Sequence, residues 1–160
     1  WTYAKHRLAH ERPNIADVNR AKRELERVKR IAKAEGVYED GRFRDEIAKL
    51  EVDIVALEMM VLRVLSAEKS GKAALDVAGL LKIRGSEIQQ RYSELMMLAA
   101  GPYSLPFVKE AMEAGWQGDQ VGAAHCAPLA ATYFNMRKTT IYGGSNEVQR
   151  NIVSATVLGS

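Results

Sequence analysis

The sequence predicts an all-α fold: an antiparallel four-helix bundle with an additional C-terminal helix. Three observations predict it. Apolar residues recur at three- and four-residue spacing over most of the chain. Prolines number four in 160 residues, and β-branched runs are scarce. The long periodic segments are joined mostly by short, glycine-marked connections, which place successive helices side by side and antiparallel.

Taken in order, Thr2 to Ala9 reads as a first helical stretch, broken or kinked at Pro13, which has no N–H to donate. Asn14 to Glu35 continues as a helix. Ile15, Val18, Ala21, Leu25, Val28 and Ala32 form its apolar stripe, and Gly36 caps its end. Arg42 to Lys69 is a long second helix, ended by Gly71. It is apolar on more than one face, which predicts a place in the middle of the bundle. Ala73 to Ala99 is a third helix, interrupted by Lys82, Arg84, Glu87, Gln89 and Gln90. From Gly101 to Gly122 the periodicity fails, leaving a long loop with a short helical turn at Val108 to Ala114. Ala123 to Met136 is a fourth helix. Ser145 to Leu158 is the fifth, with Ser145 as N-cap, Glu147 in the first turn and Gly159 past the end.

Composition narrows the function. Close to half of the residues are hydrophobic and about a quarter charged, a balance typical of soluble globular domains. The net charge of +3 is too small to argue for nucleic acid. No apolar run is long enough to span a membrane. Cys126 is the sole cysteine, so an internal disulfide is impossible and a reducing, cytoplasmic compartment is expected. The chain opens at Trp1 already in a helical pattern, and the expectation is a fragment of a longer protein.

Several residue groups are candidate sites. His6 and His10 share a helix face at metal-binding spacing, but HExxH is absent and they read as exposed histidines; no metal is expected. Arg20, Lys22, Arg23, Arg27, Lys29, Arg30 and Lys33 form a basic face. Asp17, Glu24, Glu26 and Glu35 are interleaved with it, in pairs such as Glu26 and Arg30, so a solvated face is favoured over a nucleic-acid site. Cys126 reads as a small buried hydrophobe, with His125 turned a third of a turn away. Met59, Met60, Met96 and Met97 read as core filling. The stretch Gly143-Gly144-Ser145 is the sharpest ligand signal, because glycines allow close approach and a helix start offers free N–H groups.

At this point a resemblance enters. TIYGGSNEVQRNIVSATVLG resembles the closing motif of the acyl-CoA dehydrogenase C-terminal domain: an aromatic or small residue, a variable residue, Gly, Thr or Ser, then NE, a hydrophobic and QRN. WTYAKHRLAHERPNIADV resembles the family's entry helix, of the type GWxxAxxxLxxER, and LLKIRGSEIQQRYSELMMLAAGPY resembles its third helix. The resemblance covers the whole chain. It implies that residues 1–160 are one helical bundle domain of a three-domain FAD enzyme, inactive by itself. That enzyme would oxidise an acyl-CoA thioester to the trans-2-enoyl-CoA and pass electrons to an electron-transfer flavoprotein. It also implies a homo- or hetero-oligomer, since the family's bundles form much of the subunit core.

The resemblance further implies residue roles. The family places its catalytic glutamate either at the variable residue of the closing loop, here Gly143, or in the first long helix just before an Arg, here Glu11. With Gly at one position and Glu at the other, Glu11 is the implied base and Arg12 its substrate-side neighbour. Gly143 would offer its N–H to the thioester oxygen, and Tyr142 would line the acyl pocket. Gly144, Ser145 and Glu147 would lie along the FAD. The family's RxxFG motif is missing, and its QxxGGxGY segment reads MMLAAGPYSL, with only Gly101 and Tyr103 kept and Met96 near the Gln position. Both changes fall on contacts to a neighbouring subunit's FAD and fit a heteromeric enzyme. Two other readings stand beside this one: an acyl-CoA oxidase-like relative, and a helical protein- or nucleic-acid-interaction bundle. The loop from Gly101 to Gly122 is expected to shape a pocket for bulky or branched acyl chains.

Overall fold

The computed structural model describes residues 17–69 and 75–158. Among them there are five α-helices and no strands: α1 (Val18–Ala34), α2 (Gly41–Lys69), α3 (Leu75–Ala100), α4 (Leu129–Met136) and α5 (Asn146–Leu158). Single 3-10 turns lie at Gly101–Ser104, Lys109–Met112 and Arg137–Thr140. The all-α bundle read from the sequence is therefore the fold. The stretch Thr2 to Ala9, Pro13, Gly71 and Gly159 lie outside the described residues.

The expected start at Asn14 lies outside the described residues; within them α1 begins at Val18. Asp17 has left the helical region and its carboxylate accepts the Arg20 N–H at 2.9 Å, which makes it the N-cap. The helix then buries Ala21, Leu25, Val28, Ile31 and Ala32 along one face. Gly36, at φ +74°, turns the chain out of it, and the Val37 and Tyr38 N–H groups return to the Ala32 carbonyl.

Cross-helix ion pairs give the register. Lys22 meets Glu58 at 2.7 Å and Lys29 meets Glu51 at 3.5 Å, so α1 and α2 run antiparallel. Arg84 meets Asp53 at 2.9 Å and Arg91 pairs with Glu46, so α3 runs antiparallel to α2. These surface pairs contribute little stability, about 0–1 kcal/mol each. They do engage the basic face of α1: Arg27 pairs with Glu24, and Glu26 pairs with Lys29 rather than with Arg30.

The centre of the bundle is α3, not α2. It packs against α1, α2, α4 and α5, and its buried residues, from Leu81, Ile83 and Ile88 through Tyr92, Leu95 and Met96, face several directions. Small residues let neighbours close in on it: a Cβ on Gly79 would stand 2.9 Å from the Val153 methyl of α5. By contrast α2 buries one seam, Ile47, Leu50, Ile54, Leu57 and Val64, and leaves a second apolar seam exposed: Val52, Val55, Met59, Leu62 and Leu65. Met96 is core and Met60 and Met97 pack against it, as expected, but Met59 belongs to that outer seam.

The fourth helix is shorter than predicted. Residues 123–128 form turns, and α4 begins only after Pro128. Cys126 is fully buried, as expected, and burial together with the Glu35 charge pushes its thiol above the usual 9.0. His125 is not turned away from it, because the turn geometry replaces helical spacing; its Nε2 lies 2.6 Å from Glu35 Oε1 at the end of α1.

Candidate functional site

The approach to the Gly143-Gly144-Ser145 loop is fastened to α3. Thr139, buried in the 3-10 turn after α4, donates to the Met136 carbonyl at 2.8 Å and to the Ser86 carbonyl at 3.4 Å. Gln90 donates to the Arg137 carbonyl at 3.2 Å, and Arg137 donates back to the Gln90 carbonyl at 3.0 Å. With these bonds the backbone is held just before it turns. The Ile141 and Tyr142 N–H groups are then spent on the Lys138 carbonyl, at 2.9 and 3.2 Å.

The turn itself needs glycine. Gly143 sits at φ +69° and Gly144 at φ +90°, a region where a Cβ collides with the backbone. At Gly144 a Cβ would also fall 2.3 Å from Gln149 Nε2. Gln149, almost fully buried, reaches back from α5 to the Gly143 carbonyl at 3.5 Å. Among the described residues, the N–H groups of Gly143 and Gly144 have no hydrogen-bond partner. Ser145 is the N-cap predicted for α5: its hydroxyl accepts the Val148 N–H at 3.4 Å and its carbonyl the Gln149 N–H at 2.9 Å.

The start of α5 stands on a buried polar cluster that the sequence reading did not find. Lys82 of α3 is fully buried, and its ammonium donates to Asn146 Oδ1 at 2.8 Å; Ser86 donates to the same oxygen at 3.2 Å. Burial pulls the Lys82 pKa below 10.5, opposed by the nearby Glu147 charge. Gln149 Oε1 is buried without a partner among the described residues. Only the interruption of an apolar run by Lys82 hinted at this cluster in the sequence, and nothing there says that such a lysine is inside. Glu147 is exposed in the first turn. Its own backbone N–H and the Ser145 hydroxyl, with Arg150 and Lys82 nearby, hold its carboxyl below the usual 4.5.

The structure thus gathers Tyr142, Gly143, Gly144, Ser145 and Glu147 into one loop and helix start. Tyr142 is exposed, whereas Tyr92 of α3 is buried. Tyr92 in turn borders Asp17 and Arg20 at the start of α1. Glu11 and Arg12 lie outside the described residues, as do His6 and His10. The loop expected to shape the acyl pocket begins at the far end of α3: Ala100 stands roughly 27 Å along the axis from Lys82 at the helical rise per residue. The loop's first residues border an open apolar hollow lined by Met97, Leu98, Leu105, Tyr133 and Phe134.

Residues 1–158 match the protein family described as acyl-CoA dehydrogenase, C-terminal domain. The chain belongs to the acyl-CoA dehydrogenase family. It is 26% identical over 161 residues to acyl-CoA dehydrogenase IpdE1 of Mycolicibacterium smegmatis, covering 99% of this chain and 36% of that protein. The chain thus spans little more than a third of this relative's length. The solved structure of Tcur3481-Tcur3483 steroid ACAD superposes with a TM-score of 0.74 at 23% identity, over 96% of this chain and 38% of that one. Butyryl-CoA dehydrogenase from Megasphaera elsdenii does so with a TM-score of 0.67 at 18% identity, over 94% and 37%. At these identities the likeness is one of fold. As an acyl-CoA dehydrogenase C-terminal domain, the chain presents its GGSNEVQRN segment as a glycine turn leading into α5, with two N–H groups that have no partner among the described residues. Among its described residues no helix is long and apolar enough to cross a membrane.

Proposed function

We propose that the chain is the C-terminal domain of a three-domain, FAD-dependent acyl-CoA dehydrogenase that converts an acyl-CoA thioester to the trans-2-enoyl-CoA. The observation that carries this reading is the pair of N–H groups at Gly143 and Gly144, without a partner among the described residues and held at the start of a helix in a family of this chemistry. Donors so placed stabilise negative charge on a thioester oxygen, which acidifies the α-proton. Glu11 is the base: its carboxylate removes that proton. The positive φ of Gly143 supports this division of labour, since a glutamate side chain there would be strained in this loop.

The residues suit a flavin. Gly144 presents bare backbone, Glu147 is exposed, and α5 opens with the partial positive charge of its N-terminus. Gly144, Ser145 and Glu147 would lie along the cofactor, which supplies the hydride acceptor. Tyr142, exposed beside the turn, walls the acyl pocket, with Arg12 next to the base. Electrons leave to an electron-transfer flavoprotein. The outer seam of α2 is the surface for a homo- or hetero-oligomer, and the altered segments around Met96 and Gly101 favour a heteromeric enzyme. The isolated domain is inactive, lacking the rest of the substrate and cofactor sites.

The test replaces Glu11 by Gln in the full-length, flavin-loaded protein and follows acyl-CoA oxidation with an artificial electron acceptor. General-base loss is expected to lower turnover at least about a hundredfold with flavin retained. Turnover at the wild-type level would remove Glu11 from the mechanism.

A further inference from the structure

We infer that Glu35, His125 and Cys126 form a binding site for a divalent metal ion of the zinc class. The site lies at the opposite end of α1 from the glycine loop and is independent of the proposed reaction. Three observations carry it. One ligand atom from each residue, a carboxylate oxygen, an imidazole nitrogen and a thiol sulfur, lies within 4.8 Å of the other two. The residues come from segments ninety apart in sequence, joined by the contact between His125 Nε2 and Glu35 Oε1. Cys126 is fully buried while the side chains of Glu35 and His125 are 21% and 26% exposed, so the cluster has a dry floor and a mouth open to water.

The donor set selects the ion. Magnesium and calcium take oxygen ligands, whereas sulfur and imidazole nitrogen suit zinc or cobalt. Three protein ligands leave a fourth position for water. Metal–ligand bonds of about 2.0–2.3 Å place tetrahedral donors roughly 3.3–3.8 Å apart. The ion therefore seats by a small rotation that draws the sulfur in and opens the carboxylate–imidazole contact. Glu35 follows the last turn of α1, the negative end of that helix's dipole, which favours a cation. On binding, the thiol proton passes to solvent, a metal–sulfur bond forms and the ion stays divalent. The result is a clamp between the end of α1 and the turn that feeds α4.

Cobalt(II) added to the chelator-stripped full-length protein is the probe. One equivalent is expected to bind with a near-ultraviolet sulfur-to-cobalt charge-transfer band that zinc displaces and that Cys126→Ala abolishes. Glu35→Gln and His125→Gln sit at the open mouth and perturb folding least; each is expected to weaken cobalt binding by about tenfold or more. A band that persists in Cys126→Ala, binding unchanged in both mouth variants, or no bound cobalt would overturn the site and leave an ordinary Glu35–His125 hydrogen-bonded pair.

Discussion

At the scale of single residues, Lys82 is the least expected feature of the domain. Its ammonium has left water, yet among the described residues no carboxylate is hydrogen-bonded to it, and the nearest helix end is the positive one of α5. Such a group costs stability unless its interactions offset desolvation, and a well-packed apolar replacement is often neutral or better. Lys82→Met is accordingly expected to raise stability at pH 7 by about 1 kcal/mol. The pH dependence carries the sign. A lysine with a lowered folded pKa binds its proton less tightly folded than unfolded, so the wild type gains stability as pH rises from that folded value to 10.5. The advantage of Lys82→Met should therefore shrink over that window. Urea unfolding of both proteins from pH 7 upward measures it; a variant that is less stable at every pH would mean that the Asn146 bond outweighs the burial. The reason to keep so costly a residue is positional: Lys82 and Ser86 together fix Asn146, the first residue of α5, and hence the height of the glycine turn.

At the scale of elements, the bundle depends on α3. Leu95 is fully buried among the packed residues of α1, α2 and α4. Leu95→Ala is expected to destabilise the protein by about 2–5 kcal/mol, the cost of lost transfer energy plus a cavity, read from denaturant midpoints. An effect below about 1 kcal/mol would show that α3 is not the core element described here. Helix existence was legible in the sequence because long amphipathic periodicity is the strongest local signal, and Ser145 as an N-cap was legible from its residue type. What could not be read was which helix lies inside. A count of apolar residues favours α2, but α3 is buried through small residues such as Gly79 and through polar ones whose partners come from other helices, as with Gln90 and Arg137. Those partners are distant in sequence, so no local pattern reveals them. The same cause hides the convergence of Glu35, His125 and Cys126 from the sequence: helical spacing continues back to Ala123, where the chain in fact forms turns. The glycine turn was legible as a ligand loop; its support by Gln149 and Asn146 was not.

At the scale of the whole molecule, the apolar surface left on α2 decides what the domain does next. Val52, Val55, Met59 and Leu62 follow three- and four-residue steps, so they form a second seam as regular as the buried one. Up to Leu65 it runs about 20 Å along the helix, and Val52 is 67% and Leu62 53% exposed. Monomeric proteins seldom present an apolar strip of this order, because its hydration costs free energy that another surface can recover. A regular helical seam is best covered by another helix, and in the proposed assembly that helix comes from a second copy or a related subunit. Leu62→Glu places a charge in the middle of that seam without touching the core. The folded domain should keep its helicity and thermal stability to within about 0.5 kcal/mol, as surface substitutions do. The full-length enzyme should fall to smaller species by sedimentation velocity, because burying an unpaired carboxylate is costly. Unchanged sedimentation beside unchanged helicity would show that α2 faces solvent in the assembled enzyme and that subunits meet elsewhere.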